Sequence, residues 1–188
     1  MAQLSGKRIA ILATDGFEQS ELIQPRDALR GAGAQVEVVG PHSGHIQGMQ
    51  HHDKGDRVAV DRTLDEARPD DYDALVQPGG VANPDALRLD RRAVAFFRAF
   101  VTADKPIAVI CHGPWMLIEA EAAKGRTVTS WPSLKTDLKN AGADWVDREV
   151  VVDGKLVTSR NPDDLPAFCR EAVALFAGGA RDRRRAEE

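Results

Sequence analysis

The sequence predicts an α/β fold in which a mostly parallel sheet has helices packed on both of its faces. Short apolar runs alternate with longer amphipathic stretches along the chain, as expected for strands that are connected by helices. One apolar run, residues 107–110, leads through Cys111, His112 and Gly113 into a predicted helix. Such a turn lifts a side chain out of the sheet, so the cysteine has the placement of a nucleophile elbow.

The first half of the chain contains three predicted strands and one predicted helix. Residues 8–14 form an apolar run that is typical of a buried strand. Residues 18–30 follow as a helix, which ends at the glycines of a Gly-Ala-Gly sequence. Residues 35–39 and 74–77 are the next two strands, and the second of these is entered from a polar segment rich in aspartate.

The second half of the chain continues this alternation. An apolar stripe at helical spacing predicts a helix over residues 90–102. The strand before Cys111 follows, and a helix over residues 115–123 comes after it, with a proline where a first helical turn tolerates one. Asp153-Gly154 predicts a type I′ hairpin between two short strands, and an amphipathic helix ends the fold. These strands and this helix are residues 150–152, 156–159 and 165–176.

Length and composition limit the class of protein. The chain has 188 residues, of which 43% are hydrophobic and 29% are charged, so it fits one globular domain. We assign that domain to residues 1–177 and expect the charged tail, residues 178–188, to be disordered. The net charge of −4 gives no electrostatic basis for binding nucleic acid. We find no signal peptide, membrane-spanning segment or disulfide framework, and therefore expect a cytoplasmic protein.

Cys111 is the leading candidate for a reactive residue. The start of the following helix aims amide donors and the helix dipole at this position, and both favour a thiolate. The alternative is a small buried hydrophobic residue, but the adjacent His112 and the turn favour a nucleophile. The second cysteine, Cys169, lies within the last predicted helix and is most simply a core residue.

Two other segments leave predicted strands at their carboxyl ends, where ligands bind in such folds, and they would meet the thiol if those strands are its neighbours in the sheet. Glu18 follows the first strand, and its carboxyl group either reaches the thiol or only caps its helix. The Pro-Gly-Gly turn at residues 78–80 follows the third strand. The backbone N–H groups of Gly80 and His112 could together form an oxyanion hole.

The segment from His42 to His52 contains four histidines. Its spacing matches no zinc pattern, so a polar excursion is favoured over a metal site. We expect a site that works without a metal or another cofactor.

Four stretches of the chain carry a resemblance to a known family. They are residues 15–18 (Asp-Gly-Phe-Glu), 77–80 (Gln-Pro-Gly-Gly), 110–115 (Ile-Cys-His-Gly-Pro-Trp) and 158–166, which begins Thr-Ser-Arg-Asn-Pro. In these stretches the sequence resembles the PfpI intracellular-protease family, within the superfamily of the parkinsonism-associated deglycase and the class I glutamine amidotransferase-like fold. The resemblance covers residues 7–176.

The resemblance implies a flavodoxin-like three-layer sandwich with Cys111 as the nucleophile and His112 as its catalytic partner. It also implies that Glu18 hydrogen-bonds the thiolate. Some members of the family complete the site with an acidic residue from a neighbouring subunit, for which Asp85 is the nearest counterpart here. We therefore expect a homodimer or a higher homo-oligomer.

The resemblance also implies a range of activities for a stress-response protein with a reactive cysteine. Deglycase-like or glyoxalase-like action on dicarbonyl adducts is the leading hypothesis, with a small carbonyl compound or a peptide as substrate. An intracellular cysteine peptidase is the alternative enzyme. A redox sensor or chaperone without turnover is the alternative from a different class, because a reactive thiolate is also readily oxidised.

Overall fold

A central sheet of seven strands forms the middle layer of the computed structural model, which describes residues 3–178. Six of its strands are β1 (Arg8–Leu12), β3 (Gln35–Gly40), β6 (Arg62–Thr63), β7 (Ala74–Gln77), β8 (Ile107–Ile110) and β12 (Leu156–Ser159). The seventh is β11 (Val150–Asp153). The order is β11-β12-β8-β7-β1-β3-β6, and every pairing is parallel except that of β11 with β12. Because β8, β7 and β1 are neighbours, the segments that leave their carboxyl ends meet at one edge of the sheet.

Helices cover both faces of this sheet, as the sequence predicts. They are α1 (Gln19–Gly31), α2 (Ala82–Leu87), α3 (Arg91–Thr102), α4 (Trp115–Glu119), α5 (Lys135–Asn140) and α6 (Leu165–Phe176). Apolar side chains of α1 and α6 pack on one face, and those of α3, α4 and α5 pack on the other. Two separate hydrophobic cores result, which makes the fold a three-layer sandwich. None of the helices in the described residues is long and apolar enough to span a membrane.

Two small sheets lie outside the central one. The larger joins β2 (Phe17–Glu18), β4 (His45–Gln50) and β5 (Asp53–Ala59). The smaller joins β9 (Thr127–Val128) and β10 (Asp144–Trp145). The histidine-rich segment, predicted as a polar excursion, therefore contains β4 and the turn that joins it to β5.

Most predicted elements lie within one or two residues of their observed bounds, but two details differ. The helix after Cys111 ends at Glu119 rather than residue 123, and Glu121 then adopts a φ of 57°. In the final hairpin Asp153 pairs with Leu156, so the turn is Gly154-Lys155. Only the glycine of that turn has a positive φ. A type I′ turn needs two positive φ angles, so the predicted turn type is wrong, and a single positive φ at the first turn position fits type II′. The predicted tail lies outside the described residues, apart from its first residue.

Candidate active site

Cys111 lies immediately after β8 with a φ of 62°, a left-handed conformation that is uncommon for a non-glycine residue. Its amide donates to the carbonyl oxygen of Ser159 (3.0 Å), and its own carbonyl accepts from the amide of Trp131 (2.9 Å). The residue is 6% exposed. Gly113 completes the turn, because a Cβ there would lie only 2.8 Å from the carbonyl oxygen of Ile110. The predicted elbow is therefore present, and hydrogen bonds from two other segments hold it.

The carboxyl group that meets the thiol belongs to Glu21, which the sequence analysis did not single out. Glu21 is fully buried, and its Oε2 accepts a hydrogen bond from the amide of Gly79 (2.8 Å). Hydrogen bonding and charge both couple its carboxyl to Cys111. The expected hydrogen bond from Glu18 is not the one that forms. Glu18 instead accepts from the amide of His51 (3.1 Å) at the partly exposed edge of the small sheet.

The start of the first helix explains this exchange of roles. Glu18 belongs to β2 and is paired with Met49, so its backbone is still extended and its side chain serves β4. Glu21 comes one helical turn later, in the first turn of α1. That turn faces the Pro-Gly-Gly loop and the end of β8. A helix predicted to start at residue 18 places both carboxylates in its first turn. The sequence alone therefore does not show which of the two reaches the thiol.

Glu21 and Cys111 form a buried pair of acids. Burial raises the pKa of Glu21 to about 8, although hydrogen bonds from Gly79 and Cys111 act in the opposite direction. Burial also raises the pKa of the Cys111 thiol, and the Glu21 carboxylate adds to this rise. The expected lowering of the thiol pKa is therefore wrong for the resting site, because burial and Glu21 outweigh the backbone N–H groups that act to lower it. At neutral pH Glu21 is protonated, so its carboxyl can donate a hydrogen bond to sulfur.

Backbone N–H groups of His112 and Gly80 both interact with the Cys111 sulfur and act to lower its pKa. These are the two donors that the sequence analysis proposes for an oxyanion hole. Gly80 has a φ of 76°, and a Cβ there would overlap the carbonyl oxygen of Gly16. Only glycine therefore allows the loop after β7 to come this close to the segment after β1.

His112 lies beside the thiol and under aromatic cover. Its Nδ1 is 3.2 Å from the Cys111 sulfur. Its ring stacks on Trp131 (5.8 Å between centroids, 22° between planes) and meets Trp115 edge-on (5.3 Å). Burial lowers the pKa of His112, so the ring is neutral at pH 7 and one nitrogen can accept a proton. Trp131 itself remains 39% exposed, so an indole surface is open to solvent beside the catalytic candidates.

The structure does not bring Asp85 into this cluster. Asp85 is exposed on α2, and within residues 3–178 no carboxylate hydrogen-bonds to His112. A role for Asp85 at a neighbouring subunit's histidine stays a prediction.

Two further sequence features lie away from the site's chemistry. Cys169 packs against the core from α6, and burial raises its pKa to about 11, in keeping with a structural residue. Across residues 3–178, no group of three or more His, Cys, Asp and Glu side chains could hold a metal ion.

Known proteins are similar to this chain along nearly its whole length. Protein/nucleic acid deglycase 2 of Escherichia coli is 48% identical over 173 residues, which cover 90% of this chain and 98% of that protein. General stress protein 18 of Bacillus subtilis is 47% identical over 173 residues, with 91% and 98% coverage. Deglycase PfpI of Pyrococcus furiosus is 46% identical over 169 residues, with 90% and 99% coverage.

Solved structures and a family model agree with these relatives. DJ-1beta of Drosophila melanogaster superposes with a TM-score of 0.83 at 30% identity, covering 92% of this chain and 91% of that one. A two-domain protein of Anabaena variabilis, with DJ-1/ThiJ/PfpI-like and ferritin-like domains, gives a TM-score of 0.84 at 34% identity. The match covers 97% of this chain and 52% of that protein. The model of the DJ-1/PfpI family matches residues 7–175. The chain therefore belongs to the DJ-1/PfpI family.

Proposed function

We propose that this chain is a cysteine-dependent deglycase that removes dicarbonyl adducts, with glyoxalase-like action on the free dicarbonyl. One observation supports this most directly. The Cys111 sulfur lies 3.2 Å from a neutral imidazole nitrogen of His112 and interacts with two backbone N–H groups. A nucleophile, a proton acceptor and oxyanion donors together are what attack on a carbonyl-type carbon needs. Three of the relatives described above support the choice by their names, two deglycases and a stress protein.

The proposed reaction starts from an amine that carries the dicarbonyl as a hemiaminal. The Cys111 sulfur bonds to the hemiaminal carbon, the C–N bond breaks, and the amine leaves with the proton that His112 took from the thiol. The product on the enzyme is a hemithioacetal. Hydrogen transfer from that carbon to the neighbouring carbonyl carbon, through an enediol, gives a 2-hydroxyacyl thioester. Water hydrolyses the thioester, which releases a 2-hydroxy acid and restores the thiol.

The residues around sulfur fit the charges that develop in these steps. Neutral His112 can accept the thiol proton at Nδ1 when its other nitrogen carries hydrogen. Protonated Glu21 can donate to sulfur while it carries negative charge. The N–H groups of Gly80 and His112 suit the oxyanion of the hemithioacetal and of thioester hydrolysis.

Peptidase action is the second candidate, and it depends on assembly. We propose that the chain forms a homodimer or larger homo-oligomer in which Asp85 reaches His112 of a neighbouring copy. The exposure of Asp85 supports this, as does the lack of a carboxylate on His112 within the described part of one copy. We also propose a cytoplasmic location, since both cysteines are free thiols.

The test is turnover of three substrates by the purified protein: methylglyoxal, a methylglyoxal-modified peptide, and an unfolded protein. We expect release of lactate and of unmodified peptide, abolished in Cys111→Ser and reduced at least about 100-fold in His112→Ala. Cys169→Ser is the matched control and should retain full activity. Rapid cleavage of the unfolded protein, lost in Cys111→Ser, would make the peptidase proposal the correct one. Sulfenic acid formation at Cys111 without any turnover would favour the redox sensor.

A further inference from the structure

Asn83 is a fully buried polar residue near the start of α2, and nothing in the proposed reaction uses it. Its Nδ2 donates to the carbonyl oxygens of Pro78 (3.1 Å) and Gly79 (3.0 Å). Its Oδ1 accepts from the amide of Thr14 (2.8 Å). One carboxamide therefore joins the loop after β7 to the segment that follows β1.

The bond to Gly79 acts on a peptide group that faces the thiol. The carbonyl of Gly79 and the N–H of Gly80 belong to one planar trans peptide unit, so they point in opposite directions. When Asn83 holds that carbonyl, it also fixes the direction of the Gly80 N–H toward the Cys111 sulfur. A hydrogen bond to the carbonyl further polarises the unit and makes its N–H a stronger donor. The other donor to this carbonyl, the amide of Glu18, is longer at 3.4 Å.

The bond to Pro78 acts in the same way on the preceding peptide group, which joins Pro78 to Gly79. The carbonyl of Pro78 and the N–H of Gly79 share a peptide unit, and this N–H donates to Glu21 at 2.8 Å. Gln77 also donates to the Pro78 carbonyl, at 3.0 Å. Asn83 is the one residue among these that holds both carbonyls, and hence both N–H groups that serve the Glu21–Cys111 pair.

Asparagine suits this position for reasons of donor count. Two carbonyls and one amide need two hydrogens and one acceptor, which a single carboxamide supplies. Aspartate has the acceptor but no donors when ionised, and serine has one hydroxyl hydrogen. The bond to Thr14 anchors the carboxamide, because Thr14 follows Ala13, whose amide donates to the carbonyl oxygen of Val39 on β3 (3.0 Å).

We propose that Asn83 is a positioning residue, which orients and polarises the two peptide groups whose N–H donors act on Cys111 and Glu21. It contacts neither sulfur nor substrate, and its effect passes through the Pro78–Gly79–Gly80 backbone. The inference uses the proposed function only in taking Cys111 as the nucleophile.

The test compares Asn83→Ala with wild type in the full chain by three measurements. The first is the pH midpoint of Cys111 alkylation by iodoacetamide, which we expect to rise by about 0.5 to 1 unit, the effect of losing one hydrogen bond. The second is the NMR shift of the Gly79 and Gly80 amide protons, which should move upfield. The third is turnover of the methylglyoxal-modified peptide, where kcat should fall about tenfold and KM should stay within about twofold, since Asn83 does not touch substrate.

Two further variants separate positioning from general weakening of the fold. Asn83→Ser keeps one donor, is the milder change, and should give a midpoint between those of alanine and wild type. Tyr72→Phe removes a partly buried hydrogen bond to Glu37 near the opposite ends of the strands and should leave the midpoint unchanged. An unchanged midpoint and unchanged glycine shifts in a folded Asn83 variant would overturn the inference, as would an equal shift in Tyr72→Phe. Alkylation and NMR need no turnover, so they decide this question even if the deglycase proposal fails.

Discussion

Glu21 and Cys111 share a buried space in which two negative charges cannot both be accommodated at neutral pH. The carboxyl is fully buried and the thiol nearly so. Coulombic repulsion is strong where water is excluded, so ionisation of one acid opposes ionisation of the other. The proton on Glu21 thus controls how readily sulfur becomes a thiolate.

Replacing Glu21 by glutamine should lower the pH midpoint of Cys111 alkylation. The change removes the charge that raises the thiol pKa and keeps an amide that can donate to sulfur. The matched control is Glu18→Gln, which should have a much smaller effect because Glu18 bonds to the amide of His51. Iodoacetamide labelling rates between about pH 7 and 11 provide the measurement, since this range extends well above the ordinary thiol pKa of about 8.5. A shift of the alkylation midpoint in the Glu18 variant alone would show that Glu18, and not Glu21, is the partner of the thiol.

The sequence pattern predicted some residues of this site and missed others. Cys111, His112 and Gly80 could be found because a strand, a turn and small residues are contiguous in sequence. Glu21 and Asn83 could not be found in that way. Their roles depend on which side of a helix start faces the sheet edge, and that is set by contacts between segments more than 50 residues apart.

At the scale of elements, α3 shows how one helix fixes the second core. Phe96, Phe97 and Phe100 are buried on one side of it, and Asp90 caps its first turn by accepting from the amide of Arg92. The apolar stripe and the cap are local signals, and the predicted helix matches the observed one closely. In contrast, β4 and β5 were missed because they are mostly polar, and β5 buries only Val58. Their pairing with each other and with β2 defines them.

Truncation of Phe97 should destabilise the fold strongly. Its side chain is completely buried, so Phe97→Ala removes apolar contacts and leaves a cavity that costs about 3–5 kcal/mol. Arg91→Ala, at the exposed start of the same helix, should change the free energy of unfolding by no more than about 0.5 kcal/mol. Urea unfolding followed by circular dichroism measures both. Equal losses in the two variants would contradict the packing described for α3.

A polar network ties the strands together near the ends of β1 and β7 that lie away from the site. Glu37 on β3 accepts from the hydroxyl of Tyr72 (2.6 Å) and pairs with Arg8 and Arg62. Partial burial acts to raise the pKa of Glu37, but Tyr72 and the two arginines outweigh it, and the net shift is downward. A carboxylate whose pKa is lowered by folding stabilises the fold at pH values above its pKa in the unfolded chain. This contribution is lost as the pH falls through its pKa in the folded protein.

Glu37→Gln should therefore lower stability at pH 7 and have a smaller effect in acid. The ordinary pKa is 4.5, so the difference from wild type should shrink as the pH drops below that value. Urea midpoints at pH 7, 5 and 3 test this, with Glu121→Gln as an exposed control. A difference that stays constant with pH would show that the charge of Glu37 does not contribute.

At the scale of the whole molecule, the surface around α2 exposes apolar side chains that are relevant to the assembly of several copies. Val81 is 58% exposed and Leu89 is 81% exposed, while Asp85 lies exposed between them in sequence. Large apolar side chains this exposed, one of them directly after Gly80 in sequence, fit a surface that a second copy covers. Closed symmetric assembly is also the common state of homo-oligomers.

Light scattering at micromolar concentration should report a dimer or larger species, and Leu89→Arg should shift the equilibrium toward monomer. The exposed Lys124→Ala variant is the control and should not change the mass. If Asp85 acts across the contact, Asp85→Asn should lower activity in the oligomer without dissociating it. A monomeric wild type would remove the proposed role of Asp85.

The backbone of Cys111 has a consequence for synthesis of the chain. Its amide and carbonyl are bound by Ser159 and Trp131, which are made 48 and 20 residues later. A growing polypeptide that has emerged only through the elbow lacks both partners, as well as β12 beside β8. The sulfur in such a fragment is an ordinary flexible thiol without its strained φ angle or its covering. The geometry around the sulfur therefore forms only after Ser159 has been made, so a product truncated before that residue carries the cysteine without its surroundings.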